Sequence, residues 1–237
     1  LSRVFPVSGG SEANETALKI ARAYHRHRGE PGRYKIVGRK GSYHGATGGV
    51  QCLGISASDH REGEEPTQRG LISAPQPDPY RCEQGGTTPD ECATLCAEAV
   101  EQLIVDNDPA TVSAVIAEPV AAAGCIVPGD KYWPMLREIC DRHGVVLIAD
   151  EVITGFGRTG KMFGLEHWGV KPDLIQFAKA ITSGYFPLGG IGVSDEIANT
   201  MNESGKPWMH AYTYSAHPTG CAIACAMLDL VEAEDFP

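Results

Sequence analysis

The chain has 237 residues, with 30 Asp and Glu against 20 Lys and Arg, so its formal net charge is −10. Hydrophobic residues make up 42% and charged residues 21% of the sequence, an ordinary profile for a soluble globular protein. The basic residues are scattered rather than clustered, which argues against a nucleic-acid-binding surface. No apolar run approaches the roughly 20 residues that span a bilayer, and no signal-peptide pattern is present, so we expect a cytoplasmic protein without a membrane partner.

In chain order, short apolar runs alternate with amphipathic segments, which predicts βα units and a mostly parallel sheet in an α/β fold rather than a β-sandwich. The predicted elements are a helix from Ala13 through Tyr24 that stops before Gly29, strands at Tyr34–Val37 and Leu71–Ala74, a helix over Asp90–Val105, a strand at Val112–Ala117, a helix over Tyr132–His143, strands at Val145–Ala149, Leu174–Ala178 and Leu188–Val193, and a helix over Thr219–Glu234.

The stretches between these elements are predicted to be loops. Gly38 to Gly49 is a glycine-rich loop, and Glu62 to Pro89 is a Pro- and Gly-rich excursion on the surface. The chain starts without Met and ends in a helix with no closing element, so we expect it to be a fragment.

The sequence contains eight cysteines but no Cys-x-x-Cys motif. At this length and without a secretion signal, we expect them to stay reduced as small buried residues. The alternative is a zinc site formed by Cys82, Cys92, Cys96 and His60, but metal-binding knuckles usually space their cysteines more tightly. No bound metal is therefore expected.

Three polar residues directly follow predicted strands, where the ligands of open α/β sheets bind. Glu118, Asp150 and Lys179 each come after an apolar run. The alternative for each is structural: a turn carboxylate at Glu118, a capping carboxylate at Asp150 and a solvated surface amine at Lys179. The occurrence of all three in one chain favours a shared site.

A glycine pair at Gly9 and Gly10 leads into the first predicted helix, followed by Ser11. Glycines allow close approach of the backbone, and a helix N-terminus favours an anion such as phosphate. The alternative is that Ser11 is a plain N-cap. The spacing matches neither a P-loop nor a dinucleotide-binding fingerprint, which argues against an NAD-dependent oxidoreductase.

Two further segments carry groups that could contact a ligand. Tyr43-His44-Gly45 places an aromatic ring on a loop where a flat ligand could stack, and residues 212–218 are rich in hydroxyl groups, although turn and capping chemistry also explains them. A phosphate cup, a stacking ring, a buried carboxylate and a lysine nucleophile together describe pyridoxal 5′-phosphate (PLP) held as a Schiff base. The lysine must be unprotonated to attack an aldehyde, and the carboxylate keeps the pyridine nitrogen protonated.

Six segments, in this order, resemble class III (subgroup II) aminotransferases, and the resemblance runs from about Phe5 to Leu230. They are Ser8 to Asn14, Tyr43 to Gly45, Glu118 to Val120, Asp150 to Gly160, Phe177 to Lys179 and Tyr212 to Pro218. The resemblance implies the large domain of the PLP-dependent fold type I over residues 1–237, in a homodimer with shared active sites. It also implies an N-terminal segment and a C-terminal small domain that this chain lacks.

The resemblance implies roles for nine residues. Lys179 is then the Schiff-base lysine and proton shuttle, and Asp150 pairs with the pyridine nitrogen. Val152 and Tyr43 pack on the two faces of the ring.

The remaining implied contacts concern the phosphate and the walls of the site. Gly10 and Ser11 hold the phosphate, and Thr213 reaches the phosphate in the neighbouring subunit. Glu118 and His44 line the same site.

Two departures from the family pattern bear on the substrate. Ile153 stands where ornithine-, acetylornithine- and 4-aminobutyrate-type relatives have Gln, and Ala121-Ala122-Ala123 replaces their Gln-Gly-Glu. Both resemble the ω-amine:pyruvate branch, which implies ping-pong transfer from an ω-amine or β-amino acid to a keto acid, with pyruvate favoured. The alternatives are an amino-acid racemase or aminomutase on the same scaffold, and a non-catalytic binding module.

Overall fold

The computed structural model describes residues 1–54 and 69–236, and its centre is one seven-stranded sheet. The strands are β1 (Arg3–Val7), β2 (Lys35–Arg39), β3 (Leu71–Ala74), β4 (Val112–Ala117), β5 (Val146–Asp150), β6 (Leu174–Phe177) and β7 (Gly189–Val193). Their order across the sheet is β1-β7-β6-β5-β4-β2-β3. Strand β7 is antiparallel to both of its neighbours, and every other pair is parallel. The prediction of a mostly parallel α/β fold is confirmed.

Helices cover both faces of the sheet. They are α1 (Gly10–His27), α2 (Gly48–Gln51), α3 (Pro89–Asp106), α4 (Tyr132–His143), α5 (Asp195–Glu203) and α6 (Pro218–Ala233). Consecutive strand residues point to opposite faces, so Leu147 joins the core under α3 and α4, whereas Ile148 joins the core under α1. Within the two described ranges, no helix has the length and apolar character needed to cross a membrane.

Local chemistry sets several helix ends. The Thr88 side chain accepts a hydrogen bond from the Glu91 N–H, and Pro89 occupies the first helical position of α3. Helix α4 ends where Gly144 adopts a left-handed conformation with φ 62°. These signals explain why the predicted bounds of α3 and α4 lie within one residue of the observed ones.

Among the strands and α-helices of the described residues, three were not predicted: β1, α2 and α5. The predicted loop from Gly38 to Gly49 is also shorter, because β2 continues to Arg39 and α2 begins at Gly48. Part of the predicted excursion, residues 62–68, lies outside the described residues. In the described part beyond the predicted strand Leu71–Ala74, residues 75–77 are buried, so the surface prediction is wrong there. The backbone of Gln76 packs against α3 and accepts a hydrogen bond from Cys96.

The structure joins Cys82 and Cys92 in a disulfide, so the expectation of eight reduced cysteines is wrong for this pair. The cause is the start of α3, which brings Cys92 against the loop that carries Cys82. Cys96 lies one helical turn later, with its sulfur 4.0 Å from that of Cys92, and it is a free thiol. Burial raises the pKa of the Cys96 thiol to about 11. His60, the fourth ligand of the zinc alternative, lies outside the described residues.

Candidate active site

A cavity of about 210 Å³ lies at the carboxyl ends of the parallel strands. Strands β2, β4, β5 and β6 all end at this edge, and α1 starts there because β1 runs in the same direction as β6. The residues that line it are Gly10, Ser11, Asn14, Tyr43, His44, Gly45, Glu118, Asp150, Val152, Ile153 and Lys179. Eight of the nine predicted site residues are among them, and Thr213 is not.

Asp150 is the last residue of β5 and is 4% exposed. Its Oδ1 accepts a hydrogen bond from the Val152 N–H at 3.1 Å, which caps the turn after the strand. Its Oδ2 lies 2.7 Å from both His44 Nδ1 and Asn14 Nδ2. An ionised carboxylate only accepts hydrogen bonds, so His44 Nδ1 is the protonated ring nitrogen. Three donors thus compensate the burial of this charge.

Lys179 begins a short 3-10 turn directly after Ala178 at the end of β6. Its backbone is left-handed, with φ 46°, a conformation that costs energy for a residue with a side chain. The residue is exposed to solvent where it lines the cavity, and desolvation by the surrounding groups lowers the pKa of the amine. The carboxylates of Asp150 and Glu118 oppose this shift, and Arg158 adds to it. A lower pKa leaves more of the amine unprotonated and nucleophilic.

Glu118 follows β4 and is held on both oxygens by backbone donors. Oε1 accepts from the Tyr43 N–H at 3.1 Å, and Oε2 accepts from the Ala122 N–H at 2.8 Å. Buried Arg39 donates from Nη2 to the Glu118 backbone oxygen at 2.6 Å. The turn role considered for Glu118 is therefore real, and the same carboxylate also fixes the loop that carries Tyr43.

The N-cap alternative for Ser11 is wrong. Helix α1 begins at Gly10, its N-cap residue is Gly9, and no side chain of residues 1–54 or 69–236 caps it. Ser11 instead lies in the first turn, where its Oγ accepts a hydrogen bond from the Ala46 N–H at 3.1 Å. A helix N-terminus without a side-chain cap keeps backbone N–H groups available for an anion.

Two glycines of the site are required by close packing. A Cβ on Gly10 would lie 3.0 Å from Val152 Cγ1, so glycine here lets α1 approach the buried Val152. Gly45 has φ 129°, and a Cβ on it would lie 2.5 Å from Ser11 Oγ. Tyr43, two residues earlier on the same loop, is 47% exposed. The cavity is therefore open on the side of the tyrosine.

Thr213 lies apart from this cavity. It is exposed, in the turn that precedes α6, and α6 is capped by the side chain of His217, whose Nδ1 accepts from the Thr219 N–H. Turn and capping chemistry therefore accounts for part of the 212–218 segment, as the structural alternative supposed. The exposed position leaves Thr213 available to a neighbouring molecule.

Sequence reasoning missed two residues on the first turns of α1. Asn14 is 1% exposed and donates to both Asp150 and the His44 backbone oxygen. Glu15 accepts from the Thr47 hydroxyl and the Gly49 N–H, both at 2.8 Å, and so fixes the start of α2. The available signal was a polar residue one turn before Ala17, on the helix face that the apolar pattern marks as buried.

Glu151 anchors the loop that follows Asp150. It is fully buried and accepts hydrogen bonds from the Gly164 N–H at 2.8 Å, the Leu165 N–H at 2.9 Å and the Thr154 hydroxyl. Burial raises the pKa of the Glu151 carboxyl, against the opposing effect of these donors. The loop that carries Val152 and Ile153 is thereby tied to a short helix beyond it.

Comparisons with known proteins show the family of the chain. The profile of the family described as aminotransferase class III matches residues 1–237. Among curated relatives, the chain is 41% identical over 235 residues to the putrescine–pyruvate aminotransferase of Pseudomonas aeruginosa, covering 99% of this chain and 51% of that protein. It is also 41% identical to the diaminobutyrate–2-oxoglutarate transaminase of Halomonas elongata, covering 99% and 51%. The chain thus spans about half the length of the curated relatives it matches.

Solved structures give the same result. An (S)-enantioselective ω-transaminase from Thermomicrobium roseum is 46% identical with a TM-score of 0.92, covering 98% of this chain and 52% of that one. An amine transaminase from an uncultivated Pseudomonas species, solved in a PLP-bound form, is 46% identical with a TM-score of 0.94, covering 99% and 53%. The chain therefore belongs to the class III aminotransferase family of PLP-dependent enzymes.

Proposed function

We propose that this protein is a PLP-dependent transaminase that moves an amino group from an ω-amine or β-amino acid to pyruvate by a ping-pong mechanism. The observation that carries the proposal is the presence of Lys179 and Asp150 on one cavity, where desolvation lowers the pKa of the lysine. Residues 1–237 would form the large cofactor-binding domain of this enzyme.

The residues around the cavity fit the cofactor. Asn14 Oδ1 and His44 Nε2 are buried polar atoms without a hydrogen-bond partner among the described residues. The uncapped start of α1 at Gly10 and Ser11 offers N–H groups to a phosphate, and Val152 offers an apolar surface to a ring. When bound, PLP supplies an aldehyde for the amine and a ring that accepts electrons from the carbon losing a proton.

Each functional residue then has a task that follows from its chemistry. Lys179 would hold the cofactor through Nζ and carry a proton at that atom once the substrate amine has displaced it. Asp150 would keep the ring nitrogen protonated, since an ionised carboxylate with three donors is a stable partner for a cation. Tyr43 and Val152 would pack on the ring, and the Glu118 carboxylate would hold the Tyr43 loop in place by accepting from the Tyr43 backbone N–H.

The substrate class rests on two observations outside the cofactor contacts. Ile153 lines the cavity at the position where other branches of the family have Gln, and its side chain cannot hydrogen-bond to a cofactor oxygen. The relatives include a putrescine–pyruvate aminotransferase and ω-transaminases. The equally similar diaminobutyrate–2-oxoglutarate transaminase makes the acceptor the first point to test.

The experiment is an absorbance titration of the full-length protein with PLP, for wild type and Lys179→Ala. We expect wild type to show a cofactor band that an amine donor alone bleaches, and Lys179→Ala to lack both the band and the turnover. Pyruvate and 2-oxoglutarate are then compared as acceptors of the second half-reaction. Absence of cofactor binding by wild type would refute the proposal, and amine exchange without any keto acid would favour the racemase or aminomutase alternative.

We further propose a homodimer in which Thr213 contributes to the partner's site. Subunits carrying Lys179→Ala are mixed with subunits carrying Thr213→Ala under conditions of exchange. If Thr213 acts across the interface, the mixed dimer has one site with both residues intact and one without either. It then regains wild-type cofactor affinity in half of its sites. No gain over the Thr213→Ala homodimer would contradict this arrangement.

A further inference from the structure

The buried side chain of Asn14 connects two parts of the candidate site. It projects from the first turns of α1, lines the cavity and is 1% exposed. We propose that Asn14 is a positioning residue that fixes the Asp150 carboxylate and the His44 loop for cofactor binding. This inference rests on the proposed function and deepens it.

The two hydrogens of the Asn14 amide nitrogen are both used at the site. Nδ2 lies 2.7 Å from Asp150 Oδ2 and 2.8 Å from the His44 backbone oxygen. Both acceptors are buried, and they belong to segments 136 and 30 residues away in the sequence. One side chain therefore links α1, the end of β5 and the loop after β2 at a single point.

The orientation of this amide is determined by its surroundings. If the group were turned over, its oxygen would face the Asp150 carboxylate and the His44 backbone oxygen, which are both acceptors. In the observed orientation, Oδ1 is left buried without a partner among the described residues. An unsatisfied buried acceptor is unfavourable. The two hydrogen bonds that Nδ2 donates, one of them to a charged group, offset this cost.

The consequence for Asp150 is an asymmetric carboxylate. Among the described residues, Oδ2 receives donors from Asn14 and His44, whereas Oδ1 receives one donor, the Val152 N–H. Each carboxylate oxygen can accept about two hydrogen bonds, so the capacity to bind one more donor remains on Oδ1. Asn14 thereby determines which oxygen of Asp150 can accept a protonated ring nitrogen.

A residue that only stabilised the fold would have a different signature. Thr16 provides the comparison, because it is buried on the same helix and its Oγ1 hydrogen-bonds to His210 Nε2 at 2.8 Å, away from the cavity. Thr16→Val removes a part-buried hydrogen bond from α1 while keeping the size of the side chain. It is therefore a matched control for the loss of the Asn14 contacts.

The test uses the full-length holoenzyme with Asn14→Ala, Asn14→Asp and Thr16→Val. We expect Asn14→Ala to raise the Kd for PLP and to lower kcat, each by about 10- to 100-fold, the range for loss of a hydrogen bond to a charge. The KM for the amine should change by less than about threefold, because Asn14 acts on Asp150 rather than on the substrate. Thr16→Val should leave both constants near those of wild type, even if it lowers the melting temperature.

Asn14→Asp separates positioning from simple packing, since it keeps the shape of the side chain. Two adjacent carboxylates share a proton, so the pKa of the pair rises above the usual value of about 4. We expect the pH profile of kcat and the absorbance of the bound cofactor to gain an ionisation that wild type and Asn14→Ala lack. If Asn14→Ala does not fold, this isosteric variant still decides the question.

The inference is overturned if PLP affinity and kcat of the Asn14 variants stay within about threefold of wild type, or if Thr16→Val changes them equally. A pH profile of Asn14→Asp that matches wild type also overturns it. Failure of the wild-type enzyme to bind PLP is a separate outcome, because it refutes the proposed function before any Asn14 variant is compared.

Discussion

The contact between Gly45 and the first turn of α1 makes a quantitative prediction about how the site is held together. Gly45 has φ 129°, and an added Cβ would lie 2.8 Å from Ser11 Cα and 2.5 Å from Ser11 Oγ. Ordinary carbon contacts are about 3.5–4.0 Å, so the loop must move away from α1 by roughly 0.7 Å or more. In Gly45→Ala, both the backbone strain and this overlap must be accommodated.

The two contributions can be separated with Gly29, just beyond the end of α1. Gly29 has φ 86°, but a Cβ there would meet nothing within 4 Å. Gly29→Ala therefore carries backbone strain without overlap, about 1–2 kcal/mol. The φ of 129° at Gly45 lies further from the left-handed minimum at about 57°, so the strain in Gly45→Ala is at least as large. Gly45→Ala adds the cost of overpacking, about 1–3 kcal/mol. The gain from a stiffer unfolded chain is the same in both variants and cancels in the comparison.

We expect urea unfolding of the apoprotein to show Gly45→Ala less stable than Gly29→Ala by about 1–3 kcal/mol. Because the Gly45 loop carries His44, which hydrogen-bonds to Asp150, Gly45→Ala should also weaken PLP binding, whereas Gly29→Ala should not. The double variant Ser11→Gly with Gly45→Ala removes part of the overlap and should recover stability. Equal destabilisation by the two single variants would show that the close packing of loop and helix has no energetic role.

Three further predictions concern other groups. Burial raises the pKa of the Cys140 thiol to about 12, so iodoacetamide at about pH 8 should label exposed Cys125 in the native protein and reach Cys140 only after unfolding, as read by peptide mass spectrometry. Because the pKa of Lys179 is lowered, its amine stays unprotonated at a lower pH than the amine of a free lysine. Borohydride trapping of PLP at Lys179 should therefore persist as the pH falls from about 9 to about 7. A loss of labelling that parallels the loss on free lysine would contradict this. Arg39→Lys loses the directed hydrogen bond to the Glu118 backbone oxygen, so urea titrations should show an unfolding free energy lower by about 1–3 kcal/mol. An unchanged unfolding free energy would mean that the lysine amine replaces this bond.

The sequence was most informative where a residue's environment follows from its neighbours along the chain. Val145 to Ala149 is an uninterrupted apolar run because helices cover both faces of a parallel sheet, and Asp150 follows at its carboxyl end. The same rule predicted Glu118 and Lys179. The short strand β1 was missed because it contains Pro6 and lies at the edge of the sheet as the structure describes it, paired with the antiparallel β7.

The sequence was least informative where a residue's partner lies far along the chain. Ser11 has the residue type and position of an N-cap, yet the loop after β2 provides the Ala46 N–H as its partner. Cys82 and Cys92 meet because a loop folds back onto α3, which spacing alone does not indicate. In each case a tertiary contact replaced the local interaction that the sequence favoured.

The direction of β1 explains why these hidden contacts concentrate in α1. Since β7 is antiparallel to both β1 and β6, β1 and β6 end at the same edge, and α1 starts beside Lys179 and Asp150. The first turns of α1 therefore provide contacts in the site as well as beginning the helix. Gly10 allows close approach to Val152, and Asn14 donates to Asp150. A helix start without a side-chain cap is unfavourable for the helix alone, and its retention here is consistent with a site that takes an anion from solution.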